Sequence, residues 1–239
     1  WTCEGHAPHQ YAVAALPDER TMIVLEYCAV PIRSYLAEIK GLKLNVPNDL
    51  FNGHERVYFS AAGETTLAGD GAGVTELASD WVNVADTVGA VGIYGAEGFS
   101  IYQAGERRAS GFGDSLYYDE LCFPCRVGTH TADPGVVLDC GSVVLSGADR
   151  EETATLARGK VSGLACMPAD CRAVRVAGAD GDDYALVANF GDKRASAAVN
   201  FSQAITAAED LMTGDVYQFT GGVLEVELAS GGATLVRIS

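Results

Sequence analysis

Two adjacent carboxylates, Asp119 and Glu120, are the residues of this sequence whose type first suggests acid–base chemistry. Hydrolysis of a glycosidic bond needs two carboxyl groups about 5 to 9 Å apart, one on each side of the sugar. Residues 115–123 are typical of a β-strand, and adjacent strand residues point to opposite faces. The two carboxylates therefore cannot act as a pair, and an enzyme would need one of them with a distant partner such as His54 or His130. The alternative is that both are solvated or cap a turn.

Aromatic residues on the predicted strands could bind a sugar. An exposed ring can stack on the apolar face of a sugar, and a nearby carboxylate can orient its hydroxyl groups. Packing in the hydrophobic core is the competing explanation for each of these rings. If the chain has a glycan-binding site, we predict that it is formed by Trp81, Tyr94, Tyr117, Tyr118 and Asp119.

The seven cysteines include two close pairs, Cys122 with Cys125 and Cys166 with Cys171. We predict that they are reduced and structural, and Cys28 in an apolar run fits a buried thiol. One or two disulfides are an alternative for an exported protein. A tetrahedral zinc site built from the two pairs is a second alternative, although the spacing of the second pair is loose.

No sequence motif indicates a cofactor or an activated nucleophile. His6 and His9 form an H-x-x-H without the glutamate of a zinc-protease helix, and there is no G-x-S-x-G turn. The glycine-rich stretch 69–73 lacks both a lysine and a following helix, so it does not resemble a phosphate loop. We therefore predict no cofactor and assign no catalytic residue.

Short apolar runs separated by many of the 28 glycines indicate strands and tight turns. Residues 21–30 are typical of a buried strand, and residues 136–145 of a long apolar one. Residues 81–85 alternate as a half-buried strand does. Residues 223–228 alternate between apolar and polar side chains, which predicts one dry and one wet face.

One short helix is predicted near residues 150–158. Asp149 suits the N-cap position, and Glu152 stands three residues later, as in a capping box. Both carboxylates also suit the positive end of a helix dipole. Gly159 suits the C-terminal end of this helix.

Composition and charge limit the class of partner. The chain of 239 residues is 48% hydrophobic and 20% charged, which is typical of a globular protein. Its formal charge of −16 repels phosphate groups, so we expect no nucleic-acid partner and no membrane partner. The sequence begins at Trp1, so we expect a chain that was trimmed or processed, and its localisation stays open.

Three segments near the C-terminus share a pattern: YALVANFGDKRASAAVNF, DLMTGDVYQF and GGVLEVELASGGATLVRIS. A strand ending in Asn–Phe is followed by a polar turn, then by a D-L-hydrophobic-T-G segment and a last hairpin. This stretch, about residues 172–239, resembles the terminal β-sandwich of many bacterial glycoside hydrolases. The segment WVNVADTVGAVGIYG is similar to a strand pair of the large β-domains beside such barrels or beside polysaccharide lyase helices.

This resemblance implies the C-terminal β-rich part of a larger bacterial carbohydrate-active enzyme. Such terminal sandwiches carry no catalytic acid or base, which lies in an upstream domain of the same polypeptide. It thus implies a non-catalytic region that supports the enzyme and binds glycan. A self-contained glycoside hydrolase or polysaccharide lyase that uses Asp119 or Glu120 with a histidine is the alternative. An acidic protein-interaction module is the second alternative.

For the fold we predict an all-β chain of two antiparallel β-sandwich units. The larger unit covers residues 1–148, and a helical connector covers 149–159. A small C-terminal antiparallel sandwich covers 160–239.

Overall fold

The structure, a computed structural model, describes residues 9–29, 34–47, 57–65, 73–95, 99–104, 118–134, 137–159, 161–202, 205–219 and 221–239. These ranges contain nineteen strands and one helix. The all-β class with one short helix is therefore confirmed. No helix in these ranges is long and apolar enough to cross a membrane.

The elements before the helix are β1 (His9–Ala15), β2 (Thr21–Ala29), β3 (Ser34–Pro47), β4 (Val57–Ser60), β5 (Gly63–Thr65), β6 (Gly73–Leu77), β7 (Trp81–Ala85), β8 (Ala90–Gly95), β9 (Phe99–Ala104), β10 (Tyr118–Ala132) and β11 (Val137–Ser146). The helix is α1 (Arg150–Gly159). It is followed by β12 (Val161–Met167), β13 (Cys171–Ala177), β14 (Asp183–Asn189), β15 (Ala195–Asn200), β16 (Ala207–Asp210), β17 (Val216–Gln218), β18 (Val223–Leu228) and β19 (Ala233–Ile238).

The first sheet has seven antiparallel strands in the order β1-β2-β11-β8-β7-β4-β5. Its strand β2 is buried on both faces, which explains the uninterrupted apolar run and confirms the predicted buried strand. The prediction of a half-buried strand at 81–85 is wrong, because Trp81, Val82, Asn83 and Val84 are all buried. The face of β7 that carries Asn83 is covered by α1, with which Asn83 forms a hydrogen bond.

The second sheet has four antiparallel strands in the order β3-β10-β9-β6. Its long strands β3 and β10 pair from Tyr118↔Pro47 to Ala132↔Ser34, with a register shift between Val127 and His130. Strand β3 also contacts β11 of the first sheet.

The third sheet has eight strands in the order β17-β16-β19-β14-β13-β12-β15-β18. Strand β12 pairs with β13 up to Leu164 and with β15 from Ala165 onwards. The sheet thus turns at β12 and closes on itself as a sandwich. The alternation predicted for β18 is confirmed, since Leu224, Val226 and Leu228 are buried and the residues between them are exposed. The residues inside, which we call the sandwich core, include Cys171, Ala173, Ala185, Val187, Ala197, Val199, Leu224, Val226, Leu228 and Val236.

A second apolar cluster, the shared core, joins the first and third sheets. Its buried members include Ile23, Leu25, Trp81, Tyr94 and Val143 of the first sheet, and Val174, Val176, Tyr184, Leu186 and Leu235 of the third. The two sheets approach closely at Gly141 of β11, where a Cβ atom would lie 2.4 Å from Val174 Cγ2. The division at residues 148 and 160 thus remains a prediction about independent folding.

Candidate functional site

Helix α1 lies against the first sheet and forms one wall of the candidate site. Its N-cap is Asp149, whose Oδ1 accepts a hydrogen bond of 2.8 Å from the backbone amide of Glu152. The predicted cap is therefore present. The Glu152 side chain pairs with Arg20 of the β1–β2 turn. This ion pair ties the first turn of the helix to the sheet.

The contact between α1 and the sheet is centred on Thr153, which is fully buried. The Asn83 amide on β7 donates to Thr153 Oγ1 at 3.0 Å and to the carbonyl of Ala148 at 2.8 Å. On β8 the helix packs directly over Gly92, where a Cβ atom would lie 2.2 Å from Thr153 Oγ1. Only glycine permits this approach, because any side chain at residue 92 would displace Thr153.

A groove of about 880 Å³ lies between α1 and the ends of β4 and β7. This volume is within the range of small-molecule sites, roughly 300–1,000 Å³. The groove is lined by Ser60, Ala61, Asp80, Trp81, Arg150, Glu151, Ala154, Thr155, Ala157 and Arg158.

Hydrogen bonds from Ser79 fix the sheet side of this groove. Its hydroxyl donates to the Trp81 carbonyl at 2.6 Å and accepts from the amides of Ala61 and Trp81. The carbonyl of Asp80 accepts from the Gly95 amide at 2.9 Å. The turn after β4 and the start of β7 are therefore held together, which keeps Asp80 and Trp81 in a fixed position at the groove.

Two arginines on α1 supply the positive charge of the groove. Arg150 and Arg158 are two turns apart along the helix, with Ala154 between them, so all three line the same groove. The Arg150 guanidinium lies 5.0 Å from the centre of the Phe59 ring, a cation–π contact that positions it. Within the described ranges, no ion pair involves Arg150 or Arg158.

Trp81 and Tyr94 are directly opposite each other on β7 and β8. Both belong to the shared core, where Trp81 is 8% exposed and Tyr94 is 1% exposed. Trp81 lines the groove, whereas Tyr94 is not among the described residues that line it. Burial raises the pKa of the Tyr94 hydroxyl, and the negative charges of Asp18 and Glu152 raise it further. That hydroxyl has no hydrogen-bond partner among the described residues.

The other predicted glycan-binding residues lie elsewhere in the chain. Tyr118 and Asp119 are the first two residues of β10 in the four-stranded sheet. Their side chains, and the whole of Tyr117, are outside the described part of the structure. The structure thus brings Trp81 and Tyr94 together in one sheet and places Tyr118 and Asp119 on another.

The residues of the alternative enzyme hypothesis are on the same strand. Asp119, Glu120 and His130 all belong to β10, and His54 is outside the described residues. At 3.3 Å per residue, a carboxylate at position 120 and His130 are roughly 30 Å apart along the strand. General acid–base partners must both reach the reacting bond, so these residues of β10 do not form one catalytic pair.

The cysteine pairs are also on different sheets. Cys122 and Cys125 are on β10 of the four-stranded sheet, and Cys166 and Cys171 are on β12 and β13 of the eight-stranded sheet. Cys28 is a buried free thiol, as the sequence indicated. No cluster of three or more possible metal-ligating side chains occurs among the described residues.

Of the H-x-x-H pair, His6 lies outside the described ranges. His9 Nδ1 is 2.6 Å from Oε1 of Glu26, a buried carboxylate that also accepts from the Tyr11 hydroxyl. The structure therefore places His9 beside a carboxylate on the neighbouring strand.

Sequence reasoning missed the four residues that give the groove its charge, Asp80, Arg150, Glu151 and Arg158. The spacing of 150, 154 and 158 would have placed two arginines and a small residue on one side of the predicted helix. Nothing in the sequence shows that this side faces the ends of β4 and β7, because that contact joins residues about 70 to 90 positions apart.

Comparison with known proteins shows similarity at the level of the fold. No protein-family model and no curated protein sequence matches this chain. Among solved structures, the chain is similar to a xanthan lyase from Paenibacillus, with a TM-score of 0.51 and 10% identity. The match covers 100% of this chain and 27% of that chain. At 10% identity, the similarity between the two proteins concerns the fold alone. The chain therefore has a β-sandwich fold like that of part of a carbohydrate-active enzyme, and it spans about a quarter of that protein's length.

Proposed function

We propose that this chain is a non-catalytic β-sandwich region of a larger carbohydrate-active enzyme, and that the groove beside α1 binds a glycan. The fold supports this proposal, because the solved structure that it resembles is a region of a polysaccharide lyase. That region is about a quarter of the lyase chain, so the remainder of that protein lies outside the match.

The observation that carries the proposal is the groove itself. It combines an aromatic side chain, Trp81, with charged side chains of both signs on a rigid wall of secondary structure. Sugar hydroxyls both donate and accept hydrogen bonds, so they suit a site that offers both kinds of partner. Arg150 and Arg158 donate, and the carboxylates of Asp80 and Glu151 accept. Trp81 supplies apolar contact for the ring of the sugar.

Tyr94 has a supporting role in this proposal. Its ring is too buried to contact a ligand, but it packs in the same core as Trp81, its direct neighbour on the adjacent strand. Tyr117, Tyr118 and Asp119 remain sequence-based candidates for glycan contact on the strand β10 and just before it.

The proposal that the region is non-catalytic rests on the arrangement of its ionisable groups. Among the described residues that line it, the groove holds Asp80 and Glu151 but no histidine, tyrosine or cysteine. Both carboxylates are on exposed residues.

A binding experiment tests the glycan site. Calorimetry and tryptophan fluorescence follow the titration of the protein with a panel of neutral and acidic polysaccharides, xanthan among them. We expect at least one glycan to bind, and Arg158→Ala to weaken its binding at least fivefold. Arg194→Ala is the matched control. Arg194 is exposed in the turn between β14 and β15, and it pairs with Glu227 away from the groove. Equal affinity of the two variants, or no binding at millimolar concentration, would refute the site.

A turnover assay tests the non-catalytic part of the proposal. The purified chain is incubated with the same polysaccharides and with aryl glycosides, and we expect no product. Turnover that is lost in Asp119→Asn or Glu120→Gln would establish the enzyme alternative. The proposed upstream catalytic domain is tested by reading the gene sequence that precedes the codon for Trp1.

A further inference from the structure

The two arginines of the groove differ from the other arginines whose side chains the structure describes. Within the described ranges, the guanidinium groups of Arg150 and Arg158 have neither a hydrogen bond nor an ion pair. The other described arginines all have polar partners: Arg20, Arg175, Arg194 and Arg237 pair with carboxylates, and Arg172 donates to two backbone carbonyls. The chain has 32 acidic and 16 basic side chains, so two neighbouring cations without a carboxylate partner need an explanation.

The positions of these two arginines on α1 separate them along the groove. Arg150 is in the first turn, where the positive end of the helix dipole disfavours a cation. The cation–π contact with Phe59 nevertheless keeps its guanidinium against the sheet. Arg158 is in the last turn, and its Cα atom is about 12 Å from that of Arg150 along the helix axis. The groove therefore has two distinct cationic positions on one rigid wall.

Two carboxylates also line the groove, but neither neutralises an arginine. Within the described ranges, the side chains of Asp80 and Glu151 form no ion pair, so the charges of the groove are held apart. The two arginines and the two carboxylates give the described lining residues a formal charge of zero. Such a groove does not attract every polyanion. It suits a ligand that places its negative groups on the arginines and its hydroxyl groups on the carboxylates.

We propose that the glycan of this groove is acidic, and that Arg150 and Arg158 bind its carboxylate groups while Trp81 packs against a sugar ring. This inference rests on the proposed function and names the substrate class of that site. A guanidinium group donates two parallel hydrogen bonds to one carboxylate, a geometry that a lysine ammonium does not offer. The bound sugar carboxylates thus supply the partners that the chain itself does not give these two arginines.

Carboxyl reduction provides matched ligands for the test. This treatment converts each carboxyl group of a polysaccharide into an alcohol and leaves the glycosidic linkages intact. Alginate, polygalacturonate, hyaluronan and xanthan are titrated into the protein by calorimetry, each in its native and its carboxyl-reduced form. We expect at least one native polysaccharide to bind, and its reduced form to bind at least tenfold more weakly. A hydrogen bond to a charged group contributes about enough free energy for this change.

The outcomes separate this inference from the proposed function. A neutral or carboxyl-reduced glycan that binds as tightly as every native acidic one would overturn the inference and leave the glycan site in place. No binding of any glycan, neutral or acidic, at millimolar concentration would refute both. Dextran sulfate, a polyanion without carboxylates, is the control for charge alone. Binding of dextran sulfate as tight as that of the acidic glycan would also overturn the inference.

Variants of the two arginines test which groups bind the carboxylates. We expect Arg158→Gln, and likewise Arg150→Gln, to weaken binding of the native polysaccharide about tenfold and to leave the affinity for the reduced form unchanged. Arg158→Lys keeps the charge but loses the two parallel hydrogen bonds, so it should recover only part of the affinity. Arg194→Gln, away from the groove, should leave both affinities unchanged. An equal loss for the native and the reduced form would show that the arginines only shape the groove, which would contradict the proposal.

Discussion

Replacing Gly92 with alanine should displace helix α1 and weaken both the fold and the groove. The new Cβ would lie 2.2 Å from Thr153 Oγ1 and 2.9 Å from Thr153 Cγ2. Thr153 cannot turn aside freely, since it is β-branched, fully buried and bonded to Asn83 and to the Asp149 carbonyl. The helix must therefore move away from the sheet.

The size of this effect follows from the contact. The two atoms must separate by about 1.2 Å to reach an ordinary van der Waals distance of 3.4 Å. Overpacking of this kind costs about 1–3 kcal/mol. The hydrogen bond from Asn83 to Thr153, now 3.0 Å long, would also lengthen, which adds about 1 kcal/mol. We expect the free energy of unfolding to fall by about 2–4 kcal/mol.

Urea denaturation followed by tryptophan fluorescence measures this loss. The chain has two tryptophans, so a Trp1→Phe background leaves Trp81 as the sole reporter, beside the contact itself. Gly89→Ala is the matched control, because it lies in the adjacent turn and its Cβ would have nothing within 4 Å. The Gly92 variant should also bind the groove's ligand less well, since α1 carries Arg150 and Arg158.

A double-mutant cycle identifies the cause. Thr153→Ala removes the two atoms that the new Cβ would meet most closely, so Gly92→Ala should cost less in that background. We expect a coupling free energy of about 1–3 kcal/mol between the two changes. Equal stability of Gly92→Ala and Gly89→Ala, or no coupling with Thr153→Ala, would show that α1 is not packed on β8 in this way.

Three further predictions concern the stability of the fold. Gly141→Ala should destabilise the protein by about 1–3 kcal/mol, because its Cβ would lie 2.4 Å from Val174 Cγ2. Gly163→Ala serves as the control, because its new Cβ would have nothing within 4 Å. Equal urea midpoints of the Gly141→Ala and Gly163→Ala variants would contradict the close approach of the two sheets. Burial alone would raise the pKa of Asp210, but hydrogen bonds from the Met212 and Thr213 amides and the Tyr217 hydroxyl hold it below its ordinary value of 3.8. Because this pKa is lowered on folding, the stabilisation is complete above the ordinary value and is lost as pH falls below 3.8 towards the folded pKa. Asp210→Asn should therefore flatten the loss of stability between pH 5 and pH 2, whereas the exposed Asp192→Asn should leave the slope as it is. A fragment of residues 161–239 should bind a hydrophobic dye and unfold at lower urea than the full chain, since the shared-core face of its sheet is uncovered. A fragment as stable as the full chain would instead support the predicted domain division.

Several features of the fold could be predicted from the sequence because they depend on neighbouring residues. The helix was predicted from Asp149, Glu152 and Gly159, whose capping geometry is local. The alternation at 223–228 predicted the dry and wet faces of β18 for the same reason. The burial of both faces of β7 could not be predicted, because it depends on α1, about 70 residues later in the chain.

The candidate site, too, could be predicted only in part, because burial depends on contacts between distant segments. The sequence indicated Trp81 and Tyr94 as possible sugar contacts, but not that Tyr94, the partner of Trp81 on β8, is almost wholly buried. Aromatic residues serve cores and binding sites equally well, and the residue type alone does not distinguish the two.

By itself, the amino-acid sequence determined the strand-rich class and the position of the one described helix. These properties follow from the spacing and type of residues close together in the chain. Only the tertiary structure decided which faces are buried and which side chains line the groove. Each of these depends on contacts between distant segments, such as Thr153 over Gly92, and the free energy of such contacts is not encoded in any local pattern.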